Sequence, residues 1–172
     1  MKLLGAVLAG GRSSRFGSDK AEAMWQGHRL LDHVAAAIGR ESDALVIVGR
    51  ADAAYVCVSD EPGPDLGPLG GLAGALTAAR DKGFDAVLTC PVDVPVPPSD
   101  LRAMLAAAPA LLAGQPTIGL WPATLLPDLL EFIGKDAKRS VRGFAQRVGA
   151  SFVDAPEPIV NINRPEDLDR LR

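Results

Sequence analysis

Leu3-Leu4-Gly5-Ala6-Val7-Leu8-Ala9-Gly10-Gly11-Arg12-Ser13-Ser14-Arg15-Phe16-Gly17-Ser18-Asp19-Lys20 opens with an uncharged apolar run, passes through two adjacent glycines and ends among the cations Arg12, Arg15 and Lys20. An apolar run bounded by glycine suits a buried strand. Adjacent glycines let backbone N–H groups converge and let a ligand approach where a Cβ would collide. Cations around such a loop are what a polyanion, most often a phosphate chain, requires. The plainer alternative is a strand-to-helix turn with solvated arginines, and the coincidence of strand, glycines and cations favours phosphate over it.

Outward from this stretch, strand and helix patterns alternate. Apolar spacing predicts a helix over 30–38 closed by Gly39 as its cap, a strand over Ala44–Val48 stopped by Gly49, and a short strand over 55–58. Residues 60–71 hold three prolines and four glycines, a turn-rich segment read as neither helix nor strand. A helix over 72–79 and a strand over 86–89 follow, the strand ending abruptly in Cys90-Pro91-Val92-Asp93-Val94-Pro95. Ser99 and Asp100 are N-cap candidates for a helix reaching about Ala107. Residues 109–116 are ambiguous. Beyond them the pattern gives a strand over 117–121, helices over 125–132 and 140–148, short strands at 152–153 and 159–162, and a last helix opened by Pro165. The alternation argues for an α/β fold: a single domain over 1–172, a three-layer sandwich on a mostly parallel sheet. In such sheets ligands lie beyond the carboxyl ends of the strands, so the loops starting at Ala9 and at Cys90 should share one edge and one site.

Composition narrows the function classes. With 172 residues, 48% hydrophobic and 5% aromatic, the chain can bury one sizeable core. A net charge of −3 gives no overall reason for a nucleic-acid or anionic-membrane partner. Met1-Lys2-Leu3-Leu4 runs straight into the glycine loop, without a signal-peptide core, and no apolar stretch approaches a membrane span. The expectation is a soluble, cytoplasmic protein. Cys57 and Cys90 lie far apart without a CxxC and read as small buried residues kept reduced. His28 and His33 are five apart, a spacing that does not put two ligands on one helix face, so no zinc site is expected.

The loop glycines at 10, 11 and 17 do not form Gly-x-Gly-x-x-Gly, and Gly17 is not followed by Lys and Ser or Thr, so neither a dinucleotide fingerprint nor a Walker A loop is present. Asp93 follows an apolar strand between Pro91 and Pro95, which restrict its backbone. Alone it reads equally as a magnesium ligand completed by substrate phosphates or as a turn aspartate bonding its own backbone. A phosphate loop on the same edge favours the metal role. Lys20 is a compact charge suited to oxygens near a reacting phosphorus, whereas the fork of Arg15 suits two oxygens of a departing group. In Asp65-Leu-Gly-Pro-Leu-Gly-Gly71, the glycines permit close approach and Leu69 can offer an apolar face to a base, or the segment is simply a tight turn capping the next helix. Asn161 and Asn163 alternate on one strand face, available to a ligand or as helix caps. The basic group Lys135, Lys138, Arg139, Arg142 and Arg147 reads as a solvated helix face or as a dock for a large anionic substrate.

Leu8, Gly10, Gly11, Arg15, Gly17, Asp19 and Lys20 match the pattern Leu-x-Gly-Gly-x-x-x-Arg-x-Gly-x-Asp-Lys, the signature of transferases that load a nucleoside triphosphate. The Ala9-Gly-Gly-Arg-Ser-Ser-Arg15 form, with Cys90-Pro-x-Asp-x-Pro95 and Asn161-x-Asn-x-Pro-Glu-Asp-Leu168, resembles the molybdenum cofactor guanylyltransferases, MobA-like nucleotidyltransferases. The resemblance implies a Rossmann-like nucleotidyltransferase fold and transfer of GMP from GTP to the terminal phosphate of molybdopterin or its molybdenum form, with release of pyrophosphate. It implies Mg2+ on Asp93, catalysis by Lys20, Arg15 and Asp93, and a nucleotide pocket of Leu8, Ala9, Gly10, Gly11, Lys20, Asp60, Asp65, Gly67, Pro68 and Leu69. It counts Asn161 and Asn163 as binding residues, for a pterin or a metal-bound water, gives Arg139 and Arg142 to the molybdopterin, and implies hand-over to molybdoenzyme-maturation proteins. Two departures stand out: Gly49 occupies a position where the family carries asparagine, and Gln115-Pro116 replaces a His-Pro on a connection, 109–116, that is shorter than the family's. The alternatives are the same chemistry with CTP, a sugar-phosphate acceptor, or nucleotide binding without turnover.

Overall fold

A computed structural model describes residues 1–11, 16–135 and 140–171. In chain order the strands and helices are β1 (Leu3–Leu8), β2 (Met24–Trp25), β3 (His28–Arg29), α1 (Leu30–Gly39), β4 (Ala44–Val48), β5 (Cys57–Val58), α2 (Pro68–Lys82), β6 (Ala86–Pro91), α3 (Leu101–Met104), β7 (Ala110–Leu112), β8 (Gln115–Pro122), α4 (Leu126–Lys135), α5 (Val141–Arg147) and β9 (Ser151–Val153). Single turns of 3-10 helix cover Lys20–Glu22 and Ala123–Leu125, and a longer one covers Pro165–Arg170. Among the described residues no helix is long and apolar enough to cross a membrane.

Seven strands form one sheet in the order β5-β4-β1-β6-β8-β7-β9, and β2 and β3 make a separate hairpin. β1 pairs in parallel with β4 and β6, β4 with β5, and β7 with β9; only β8 runs antiparallel to its neighbours. Alternation along β1 divides the core. Leu4 and Ala6 face a cluster built with α2, α4 and α5, while Leu3 and Val7 face one built with α1 and α3. Helices on both faces of a mostly parallel sheet are the α/β three-layer arrangement that the alternation predicts. Thr89, the buried polar residue of β6, has its hydroxyl satisfied by the Thr117 carbonyl at 2.8 Å and by Trp121 Nε1 at 3.3 Å. Helix α2 lies tight on the sheet edge because Gly74 has no Cβ; one placed there would come within 2.2 Å of the Ser59 carbonyl oxygen.

The structure corrects several boundaries. α2 begins at Pro68, so the last residues of the segment read as turn are helical, with proline in the first turn. Gly39 is the last residue of α1 rather than its cap, which is Arg40. α3 stops at Met104: Asp100 sits at its N-cap with φ 59° and no side-chain cap bond, and Pro109 excludes helix just before itself. The ambiguous 109–116 segment is β7 with the start of β8, joined at Ala113 and Gly114. Residues 159–162 are not a strand. They are held instead by the Ile162 N–H, which donates to the Asp93 carbonyl at 2.8 Å, and by the Ile162 side chain, buried with Phe16 and Leu30.

Candidate active site

A cavity of about 580 Å³ opens at the carboxyl edge of the parallel strands. β1 brings Leu8, Ala9, Gly10 and Gly11 to it, and β6 brings Pro91, Val92 and Asp93. The ends of β1 and β6 are tied directly, the Val92 N–H donating to the Leu8 carbonyl at 3.0 Å, and the Ala9 N–H ties β1 to β4 by donating to the Val48 carbonyl at 2.9 Å. The loop and N-terminus of α2 add Asp60, Asp65, Gly67 and Pro68, and Lys20 comes from its 3-10 turn. Because β8 is antiparallel, its beginning rather than its end reaches this edge, and Gln115 and Thr117 complete the wall with Asn161.

At the centre, Lys20 Nζ lies 3.9 Å from Asp93 Oδ2 and donates to Asn163 Oδ1 at 3.5 Å. Among the described residues Asp93 Oδ1 is buried without a hydrogen-bond partner. Burial pushes the Asp93 carboxyl above its ordinary range, with the Lys20 charge opposing that shift. Asp60 is likewise raised, by burial. Among the described residues no group of three or more His, Cys, Asp or Glu gathers into a metal site, so a cation on Asp93 would take its other ligands from water and phosphate.

The glycine turn has a tertiary partner. Gly49, at φ +87°, backs onto Gly10, and a Cβ on Gly49 would stand 2.7 Å from Gly10 Cα and 3.0 Å from Asp60 Oδ1. This contact leaves no room for an asparagine in this backbone, which accounts for the Gly49 departure. Beneath Lys20, Asp19 accepts from the Ala21 N–H at 3.1 Å, capping the turn, and from Arg50 at 2.8 Å. Arg29 grips both oxygens of Asp32 at 2.9 Å and reaches Asp52 at 2.7 Å and Glu22 at 3.1 Å. Its guanidinium holds Asp32 and Asp52 below the usual carboxylate range. The Tyr55 hydroxyl donates to Asp32 at 2.8 Å, and burial together with that bond pushes its pKa up to about 12.

Not every expected residue arrives. Leu69 is 1% exposed and packs into the core beside α2, so its side chain has no face to offer a base; the helix beginning at Pro68 turns it inward. Arg142 donates to the Ala113 carbonyl and covers the Phe152 ring at 5.2 Å, outside the cavity lining. Lys135 and Arg147 both bond Glu131, at 2.6 and 2.9 Å, as a solvated face does. Asn163 does not cap the last helical turn; Asp167 does so, accepting the N–H groups of Asn163 and Arg164, each at 2.9 Å. Arg12, Arg15, Lys138 and Arg139 lie outside the described residues. Thr117, Gln115 and the Arg50 bridge are site features that spacing does not reveal. Gln115 Nε2 donates to Asn161 Oδ1 at 3.0 Å, leaving one amide oxygen and one amide nitrogen of the pair for a ligand.

A sequence model described as the MobA-like NTP transferase domain matches residues 5–150. The chain is 38% identical to a molybdenum cofactor guanylyltransferase of Rhizobium johnstonii, over 96% of this chain and 90% of that protein. It is 37% identical to one of Cereibacter sphaeroides, over 99% and 95%. The Rhizobium alignment spans 189 positions, more than the 172 residues here, so that relative carries internal residues this chain lacks. In fold the chain is similar to a solved structure from Archaeoglobus fulgidus, a molybdopterin-guanine dinucleotide biosynthesis protein A, with TM-score 0.74, 20% identity and coverage of 97% and 95%.

Proposed function

This chain belongs to the MobA-like NTP transferase family, and we propose that it transfers GMP from GTP to the terminal phosphate of molybdopterin or its molybdenum form, releasing pyrophosphate. The observation that carries the reading is the pairing of Lys20 with a buried, part-unsatisfied Asp93 beside the Gly10-Gly11 turn, in one cavity. Asp93 fits a divalent cation, magnesium in this reading, because a hard cation takes oxygen ligands and Oδ1 has no other partner among the described residues. When bound, the cation would neutralise charge on the transferring phosphoryl group.

The chain's own residues supply the rest by position and charge. N–H groups around Gly10 and Gly11 receive phosphate oxygens, Lys20 stabilises the crowded α-phosphoryl group, and Arg15, by its place in the motif, takes the departing pyrophosphate. An oxygen of the acceptor phosphate forms the new bond to the α-phosphorus as the bond to the β-phosphate oxygen breaks. That attacking oxygen is already anionic near neutral pH, so the step requires no general base. Asp60, Asp65, Gly67 and Pro68 stand on the nucleotide side of Asp93, and Gln115, Thr117 and Asn161 on the acceptor side.

Calorimetric titration with GTP, CTP, ATP and UTP, each with magnesium, tests the base. Tighter binding of GTP, followed by molybdopterin-dependent release of pyrophosphate, supports the reading. Tighter binding of CTP moves the assignment to a cytidylyltransferase, the second reading, which is favoured by the missing side chain at Gly49. Failure to bind any of the four removes turnover from the account.

A further inference from the structure

Lys20 stands between two carboxylates, Asp19 and Glu22, and Asp19 lines the same cavity. An anion lining the cavity and a second one three residues along oppose the purpose of an anion-binding loop by repelling phosphate. Both are met by one side chain. Arg50 NH1 donates to Asp19 Oδ1 at 2.8 Å and NH2 to Glu22 Oε1 at 2.9 Å. Arg29 reinforces the second contact while it is itself fixed by Asp32 and Asp52. Arg50 follows Gly49, the residue that backs onto Gly10, so the bridge joins the two ends of the phosphate loop from behind. Its side chain is 18% exposed, and its fork is spent on two carboxylates rather than turned to solvent.

We infer that Arg50 is a positioning residue of the phosphate site: it holds Asp19 and Glu22 and cancels their charge, which lowers the repulsion an incoming polyphosphate meets beside Lys20 and Asp93. This rests on the nucleotide-transfer reading above for the identity of the polyphosphate, but the electrostatic claim concerns any polyphosphate.

The test is a mutant cycle read by calorimetry with two probes, magnesium-GTP and magnesium-tripolyphosphate, which has no base. Arg50→Ala should weaken both by about tenfold at low salt and by less at high salt. Adding Asp19→Asn and Glu22→Gln to Arg50→Ala removes the anions that Arg50 cancels and should restore affinity to within about twofold of wild type. Arg50→Lys, which keeps the charge and loses the fork, should fall between, at about threefold. Unchanged affinity in Arg50→Ala overturns the inference. So does a failure of those two substitutions to restore it, which would make Arg50 mere scaffolding. If circular dichroism shows that Arg50→Ala does not fold, the cycle is run with Arg50→Lys, and a failure of Asp19→Asn/Glu22→Gln to restore affinity is again fatal. Wild-type binding of tripolyphosphate without GTP would remove the nucleotide reading and leave this inference standing; binding of neither removes both.

Discussion

On one side of Asp93 the cavity wall is made by the ends of β1 and β4 and the start of α2; on the other it is made by the start of β8 and by Asn161. The first wall is backbone pressed on backbone, Gly10 against Gly49, braced by the Arg50 and Arg29 ion pairs. Each of its strands runs in the same direction, so each delivers its end to the same edge. The second wall is side chain on side chain. Its anchor is an amide pair, Gln115 with Asn161, and the Asn161 segment is moored by the Ile162 N–H and the buried Ile162 side chain. A fixed wall suits a ligand part common to every reaction cycle, the triphosphate. An amide wall, with a spare donor and acceptor, suits a part that has to be told from other acceptors.

The largest effect should come from the residue both walls share. Asp93→Asn should lower kcat by about a thousandfold or more while the circular dichroism spectrum stays native. The same variant should melt higher than wild type at neutral pH without metal. The folded carboxyl is raised above its unfolded value, so its stability contribution is present at low pH and lost as pH rises through the folded pKa. The gain, about 2–4 °C for each kcal/mol in a chain of this size, should therefore disappear in acid below the ordinary carboxylate range. A lower melting temperature at neutral pH would contradict the burial argument.

Next, Lys20→Ala should cut kcat about a hundredfold or more and change GTP affinity far less. A loss confined to affinity would move Lys20 away from the α-phosphate. Gly49→Ala attacks the first wall alone: its Cβ meets Gly10, and φ +87° is strained for any side chain, so it should cost about 1–3 kcal/mol of stability in denaturant titration and weaken GTP binding. The smallest effect belongs to the second wall. Asn161→Ala should raise the KM for molybdopterin about tenfold and leave GTP affinity unaltered. Weakened GTP binding in that variant would erase the division between the two walls.

The glycine turn and the Asp93 edge are legible in the sequence, since the loop residues are contiguous and the strands before Gly10 and Pro91 are runs without charge. Leu69 misleads for a local reason: as turn it would face the ligand, and as the second residue of α2 it faces the core. The strand expected at 159–162 misleads for another. An apolar run with β-branched residues signals burial, and here the burial comes from Phe16 and Leu30 rather than from a sheet neighbour.

Sequence alone determined the parallel α/β frame, the glycine turn with Lys20, and Asp93 on the same edge, because each depends on neighbours close in the chain and on strand direction. Tertiary structure alone decided which way β8 runs, and therefore that Gln115 and Thr117 reach the cavity. It also decided that Gly49 must be glycine and that Arg50 answers Asp19 and Glu22. These contacts join residues about 30 or more positions apart, where no periodicity carries information and only the folded path of the chain sets the partner.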